Sequence, residues 1–215
     1  MTSSPQPRWF TDTQPGHSQW FVERFRTLEA EGADLLGEAR FADMLAQRGS
    51  RILDAGCGAG RMAAALHAAG HVAYGVDVDP VLIEAAESDH PGPTYGVVDL
   101  SELTLQDVGG EPMDLVVSAG NVLVFVAPGT ERRVLERLCA VTRPGGRVVI
   151  GCRPETSYTF EQYDADLSTL VERGIATVEH RFSTWHLDPF ETDSDFAVTV
   201  LRVTDGSGAA APRDM

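Results

Sequence analysis

Short apolar runs rich in β-branched residues recur through the middle of the chain. They are "RILDAG" (51–56), "HVAYGVD" (71–77), "PTYGVV" (93–98), "MDLVVSAG" (113–120) and "GRVVIGC" (146–152). Their apolar residues are adjacent more often than alternate, the pattern of strands covered on both faces. Helical spacing fills most of the gaps, over Arg61–Ala69, Pro80–Ser88 and Glu131–Thr142. Pro80 suits a first helical turn, and "RPGG" (143–146) stops a helix and returns the chain to the sheet. The link "DLSELTLQDVGGEP" (99–112) is weaker and predicts one helical turn.

Strand and helix in alternation mean parallel strands joined by right-handed crossovers, in an open α/β sheet with helices on both faces. The end of the chain departs from this. After a helix near Phe160–Glu172, "ATVEHRFSTW" (176–185) and "DFAVTVLRV" (195–203) read as two strands joined by a tight polar loop, and therefore antiparallel. Ahead of the sheet, Ser18–Gln47 reads as two amphipathic helices broken near Gly32. The expected organisation is a helical cap over 1–50, a sheet domain over 51–204 and a flexible tail over 205–215, where periodicity is lost.

A chain of 215 residues forms one domain that buries about 70% of its unfolded surface. It needs no staple. Cys57, Cys139 and Cys152 lack paired spacing and read as reduced thiols, with no metal site expected. "MTSSPQPRWF" lacks the design of a signal peptide. The longest uncharged run, "LVVSAGNVLVFVAPG" (115–129), is too short for a membrane span. These features predict a soluble cytoplasmic protein. Net charge is −15, from 32 acidic and 17 scattered basic side chains, which argues against a nucleic-acid partner.

Candidate chemistry gathers at "ILDAGCGAGRMAAALHAAG" (52–70), where a strand enters a glycine-rich turn and then a helix. In an open parallel sheet ligands bind at the carboxyl ends of the strands. Glycine there lets a ligand lie directly on the backbone. Carboxylates close successive strands. Asp54 can help to hold an ammonium group, and Asp77 is placed to accept both hydroxyls of a ribose. Asp99 can accept an adenine amino group, with Val78 and Leu100 sandwiching the base. Together these describe a cationic, adenine-bearing nucleoside ligand without phosphates.

On these residues the chain resembles the class I S-adenosylmethionine (SAM)-dependent methyltransferases. "LDAGCGAG", "GVDVDP", "VVDL", "DLVVSAGN" and "RPGGRVVI" match successive motifs of that family, from Arg51 to the end of the sheet near Val203. The resemblance implies a Rossmann-like seven-stranded sheet of order 3-2-1-4-5-7-6 with strand 7 antiparallel. It also implies a cofactor site in which Gly56, Cys57, Gly58 and Gly60 cradle the methionine portion. Asp77 would bind the ribose, Asp99 and Leu100 the adenine, and Ala119, Gly120 and Asn121 would flank the sulfonium. The activity implied is in-line methyl transfer, and the acidic chain points to a small-molecule acceptor.

Two other functions compete. "GAGRMA" (58–63) fits the G-x-G-x-x-A turn of a NAD(P)-dependent oxidoreductase, with Asp77 at a suitable distance. That reading leaves Asp54, Gly56 and Asp99 unused. A non-catalytic SAM-binding protein would carry the same motifs. On the acceptor side stand Trp9, Phe10, His17, Trp20, Asn121, Phe125, Arg153, Tyr158, Trp185 and His186, an aromatic-rich set with one arginine. His17 and His186 are candidate proton acceptors and Tyr158 a further catalytic candidate. No NPPY-like motif follows the fourth strand, which argues against adenine or glutamine-amide methylation. The histidines His67, His71 and His90 read as surface residues, Cys57 as a small buried filler and "DPFETDSD" (188–195) as a solvated turn.

Overall fold

In the computed structural model, which describes residues 5–205, the five central apolar runs pair side by side and in parallel. They are β1 (Arg51–Ala55), β2 (Val72–Asp77), β3 (Thr94–Val97), β4 (Met113–Ser118) and β5 (Thr142–Cys152). Two further strands, β6 (Ala176–Phe182) and β7 (Ala197–Val203), complete the sheet in the order β3-β2-β1-β4-β5-β7-β6. The last of these runs antiparallel to both of its neighbours. Strand order reverses between β1 and β4, which opens a crevice at their carboxyl ends. The fold is the one expected.

Successive strand residues serve opposite faces, as the period of 2 requires. Ile52, Leu115, Val117, Val149 and Val200 pack against α3 (Gly37–Leu45) and α4 (Arg61–Ala68). Leu53, Val116, Val148, Ile150 and Leu201 pack against α6 (Glu131–Ala140) and α7 (Phe160–Glu172). A third, smaller cluster joins α2 (His17–Ala30) to α5 (Pro80–Asp89) through Val22, Leu82 and Ala85. The two expected N-terminal helices are therefore α2 and α3. A short α1 (Arg8–Thr11), unmarked by any periodicity, precedes them.

Three expectations change. The link after β3 holds two short 3₁₀ turns, Leu100–Glu102 and Leu105–Val108, instead of one helical turn. The connection from β6 to β7 is the long segment 183–196, not a tight loop. It is long because it carries packing groups: Trp185 lies edge-on to Phe41 at 5.4 Å and, with Phe196, covers Gly151. Its "DPFETDSD" stretch is largely solvated, as expected. His71 is buried, not a surface residue, with its Nε2 2.9 Å from the Asp43 carboxylate. Residues 206–215, nearly all of the expected tail, lie outside the described residues, as do 1–4. Among the described residues no helix is long and apolar enough to cross a membrane.

The three strands at the β5-β7-β6 end are tied by charge. A register shift between Val178 and His180 leaves Glu179 as the extra residue of a β-bulge. Its carboxylate accepts from Arg147 on β5 at 2.7 Å and also from Arg202 on β7. The two guanidinium groups hold the Glu179 carboxyl at about 2, well below its ordinary value. A lowered folded-state pKa stabilises above the unfolded value and fades as pH falls toward the folded one. Glu179→Gln should cost about 1 kcal/mol at neutral pH. In urea titrations the gap between variant and parent should narrow steadily from pH 5 to pH 2; a constant gap would contradict the pairing.

Candidate active site

The turn from β1 into α4 is made of residues that a side chain would ruin. Gly56, Gly58 and Gly60 have φ of +82°, +54° and +85°, in the left-handed region that only glycine enters freely. A β-carbon on Gly56 would sit 2.4 Å from Val122 Cγ2, and one on Gly58 3.2 Å from the Phe21 ring. At Gly60 the crowding comes from behind, with Tyr95 Oη at 2.6 Å and Ala86 Cβ at 2.7 Å. So Gly60 packs the helix start against its neighbours, while Gly56 and Gly58 keep the front of the turn open. The amides of Gly56 and Cys57 both donate to the Val76 carbonyl, at 2.8 and 2.9 Å, fixing the turn to β2.

Four carboxylates surround this turn, and they are not alike. Asp54 is 3% exposed and its Oδ2 has no hydrogen-bond partner. Burial pushes its carboxyl up to about 8, against the pull of the Arg61 guanidinium and the Ala63 amide. Asp77 accepts from the Gly58 amide at 2.9 Å and the Asp79 amide at 3.0 Å. Burial raises its carboxyl to about 6 in spite of those two donors. Asp79 caps α5 through the Val81 amide at 2.9 Å and also accepts from Trp9 Nε1 at 2.7 Å. Asp99 uses Oδ1 to accept the Ser101 amide at 2.9 Å.

Asp54, Asp77 and Asp99 open on one cavity of about 460 Å³, together with Gly56, Cys57, Gly58, Val78, Leu100, Ala119 and Gly120. Two expected members are missing. Gly60 faces Tyr95, and Asn121, left-handed at φ +62°, turns its Oδ1 to accept the Arg153 amide at 2.7 Å. Neither lines the cavity. Cys57 does line it, and burial raises its thiol pKa well above the ordinary value, so it is no nucleophile.

The candidates for proton chemistry separate clearly. His17 lines the cavity, its ring stacked on Trp20 and edge-on to Trp9. His186 is exposed on the β6–β7 connection and does not reach it. Tyr158 is 2% exposed, donates to Asp166 at 2.9 Å and lies outside the cavity. Burial and that carboxylate raise its pKa far above the phenol value, so it is a packing residue. Arg153 pairs with Asp195 at the surface and Trp185 serves the sheet.

Sequence reasoning missed Arg61 and Glu38, an ion pair at 3.2 Å on the cavity wall beside Asp54. It also missed Phe21 and Phe25, which line the cavity on one face of α2. Arg61 follows Gly60 directly, and Phe21 and Phe25 stand at i, i+4, so a signal was present for both. Its pointer is helical spacing toward the glycine turn.

These residues do fit a cationic nucleoside. An orphaned buried carboxylate, a glycine cradle with an open front and two further strand-end carboxylates are what such a ligand needs. Without it, Asp54 is a strain on the fold. Its folded-state pKa lies above its unfolded one, so stability present at low pH is lost as pH rises from about 4 through 8. Asp54→Asn should therefore raise the ligand-free Tm by several degrees near pH 9 and by little near pH 5. A variant destabilised equally at both pH values would show that Asp54 is a paired structural group.

Comparison with known proteins gives the family. Residues 52–146 match a family model described as a methyltransferase domain. A TehB-like SAM-dependent methyltransferase from Corynebacterium glutamicum is 37% identical, with a TM-score of 0.80, over 89% of this chain and 100% of that one. A malonyl-[acyl-carrier protein] O-methyltransferase of Pseudescherichia vulneris is 29% identical over 85% of this chain and 72% of its own length. A ribosomal protein L11 methyltransferase of Symbiobacterium thermophilum is 32% identical over 50% of this chain and 34% of its own. The chain belongs to the class I S-adenosylmethionine-dependent methyltransferases.

Proposed function

We propose that this methyltransferase acts on a small molecule enclosed between the N-terminal helices and the loop after β4. One observation carries the reading. Trp9, His17 and Phe21 from the first helices roof the cavity of about 460 Å³ that the acceptor would have to share with the cofactor, which favours a small acceptor.

SAM supplies an electrophilic methyl on a sulfonium, and the chain's residues hold and exclude. Asp54 suits the ammonium, and Arg61 beside it suits the carboxylate of the amino-acid portion. Asp77 suits the ribose hydroxyls, and the oxygen that Asp99 does not use for capping suits the adenine amino group, between Val78 and Leu100. Trp9 and Phe125, edge-on at 5.6 Å, form an apolar wall that keeps water from the transfer and restrains the acceptor. His17 is the cavity-lining group from the sequence-predicted set able to take a proton from an acceptor that must lose one. The N-terminal helices thus act as a lid.

Incubating the enzyme and SAM labelled in the methyl group with a size-fractionated lysate tests the acceptor class. Label should move to the small-molecule fraction. Label on protein, carrier or RNA, with none on small molecules, would overturn the proposal.

Cofactor binding should also carry a proton. At pH 7 the Asp54 carboxyl is mostly neutral, and an ammonium partner favours its ionised form. Affinity for SAM should climb as pH rises from 6 to about 8 and then level off. Calorimetry in two buffers of different ionisation enthalpy should reveal the released proton; identical heats would remove Asp54 from the ammonium site.

A further inference from the structure

We infer that Asp79 is a positioning residue that couples occupancy of the cofactor site to closure of the N-terminal segment. The inference rests on the lid reading above and adds the group that operates it. Helix capping alone does not explain this side chain. A cap needs one acceptor oxygen, and Oδ1 provides it by accepting the Val81 amide. The other oxygen accepts from Trp9 Nε1 at 2.7 Å and from the Ser18 hydroxyl. A carboxylate 1% exposed is tolerated because three donors satisfy it, and two of them come from the segment before the sheet.

The backbone of the same residue faces the cofactor side. Its amide donates to Asp77 Oδ1, whose partner oxygen accepts the Gly58 amide. Asp77 is thus joined through a single residue to the group that grips α1 and α2. Trp9 passes the restraint on, with edge contacts to His17 at 4.8 Å, Phe21 at 5.7 Å and Phe125 at 5.6 Å. Whatever fixes Asp77 fixes the wall over the cavity.

The gripped element is one that can open. No residue of α1 is buried. Apart from the ring contacts of Trp9, polar clips hold it: Trp9 donates to Asp79, and Arg8 donates to Glu131 at 2.8 Å and to the carbonyls of Val126 and Ser157. Elements with few buried apolar contacts open at low cost. A ligand that lies beneath this segment and orders Asp77 stabilises the closed form, and by reciprocity the closed form holds the ligand.

Limited trypsinolysis of the full chain after Arg8 reads the segment directly, with S-adenosylhomocysteine as the probe. Saturating probe should slow that cleavage about tenfold in the parent protein. Asp79→Ser keeps an N-cap oxygen but is too short to reach Trp9. Probe should still bind it within about fivefold by calorimetry, while protection falls below about twofold. Trp9→Phe, which keeps the ring and loses the N–H, should behave likewise and stands in should Asp79→Ser fail to fold. Equal protection in parent and variants would overturn the coupling, as would binding to the parent without protection. A parent that does not bind the probe at all would overturn the cofactor site and the coupling together.

Discussion

A buried carboxylate with an unused oxygen is the costly element around which this molecule is arranged. Asp54 has to be held at the end of a central strand, between β2 and β4, where water does not compensate it. A site on a loop would relax and solvate the group. Here the strand is locked on both sides by parallel ladders and packed on both faces, so the carboxyl stays where it is unstable. The rest of the site follows from the same rigidity. Asp77 ends the neighbouring strand and takes the Gly58 amide, so the glycine turn, β2 and the start of α5 move as one piece.

The cofactor half of this arrangement was legible in the sequence because each of its parts has a steric or periodic cause. Runs buried on both faces read as parallel strands. Glycines at 56 and 58 mark a backbone that Val122 and Phe21 approach closely, and carboxylates stand at or just past the ends of successive strands. Most members of the expected set duly line one cavity. Gly60 and Asn121 do not, and the reason is instructive. Spacing within a motif reports that a residue is constrained, but not from which side: Tyr95 constrains Gly60 from behind, and Asn121 is held by the Arg153 amide.

The other half was poorly legible because its partners are far apart in sequence. Trp9 and Asp79 are separated by 70 positions, Arg8 and Glu131 by 123, and no periodicity records such pairs. Asp79 looked like a helix cap and is one, yet the same side chain bonds to two residues of the N-terminal segment. Tyr158 read as an acceptor-side catalytic candidate and is sunk against Asp166 and Tyr163. The β6–β7 connection read as a turn because its acidic stretch is solvated, while Trp185 and Phe196 at its ends anchor it to the sheet.

This division has a physical consequence for how such an enzyme can change. The cofactor half cannot be altered without disturbing the sheet, since Asp54, Asp77 and the glycine turn share hydrogen bonds or packing with three strands. The proposed acceptor half is built from α1, the first turns of α2 and the loop after β4, where Phe125 and Trp9 meet edge to edge. No residue of α1 is buried, and its attachment is a handful of polar clips and the ring contacts of Trp9. Substituting His17 therefore changes a wall of the cavity at small cost to folding, whereas Trp9 also donates to Asp79 and Phe125 packs on the core. On the proposed reading, acceptor choice is carried by the part of the molecule that stability constrains least, and Asp79 is where that part is joined to the part that cannot vary.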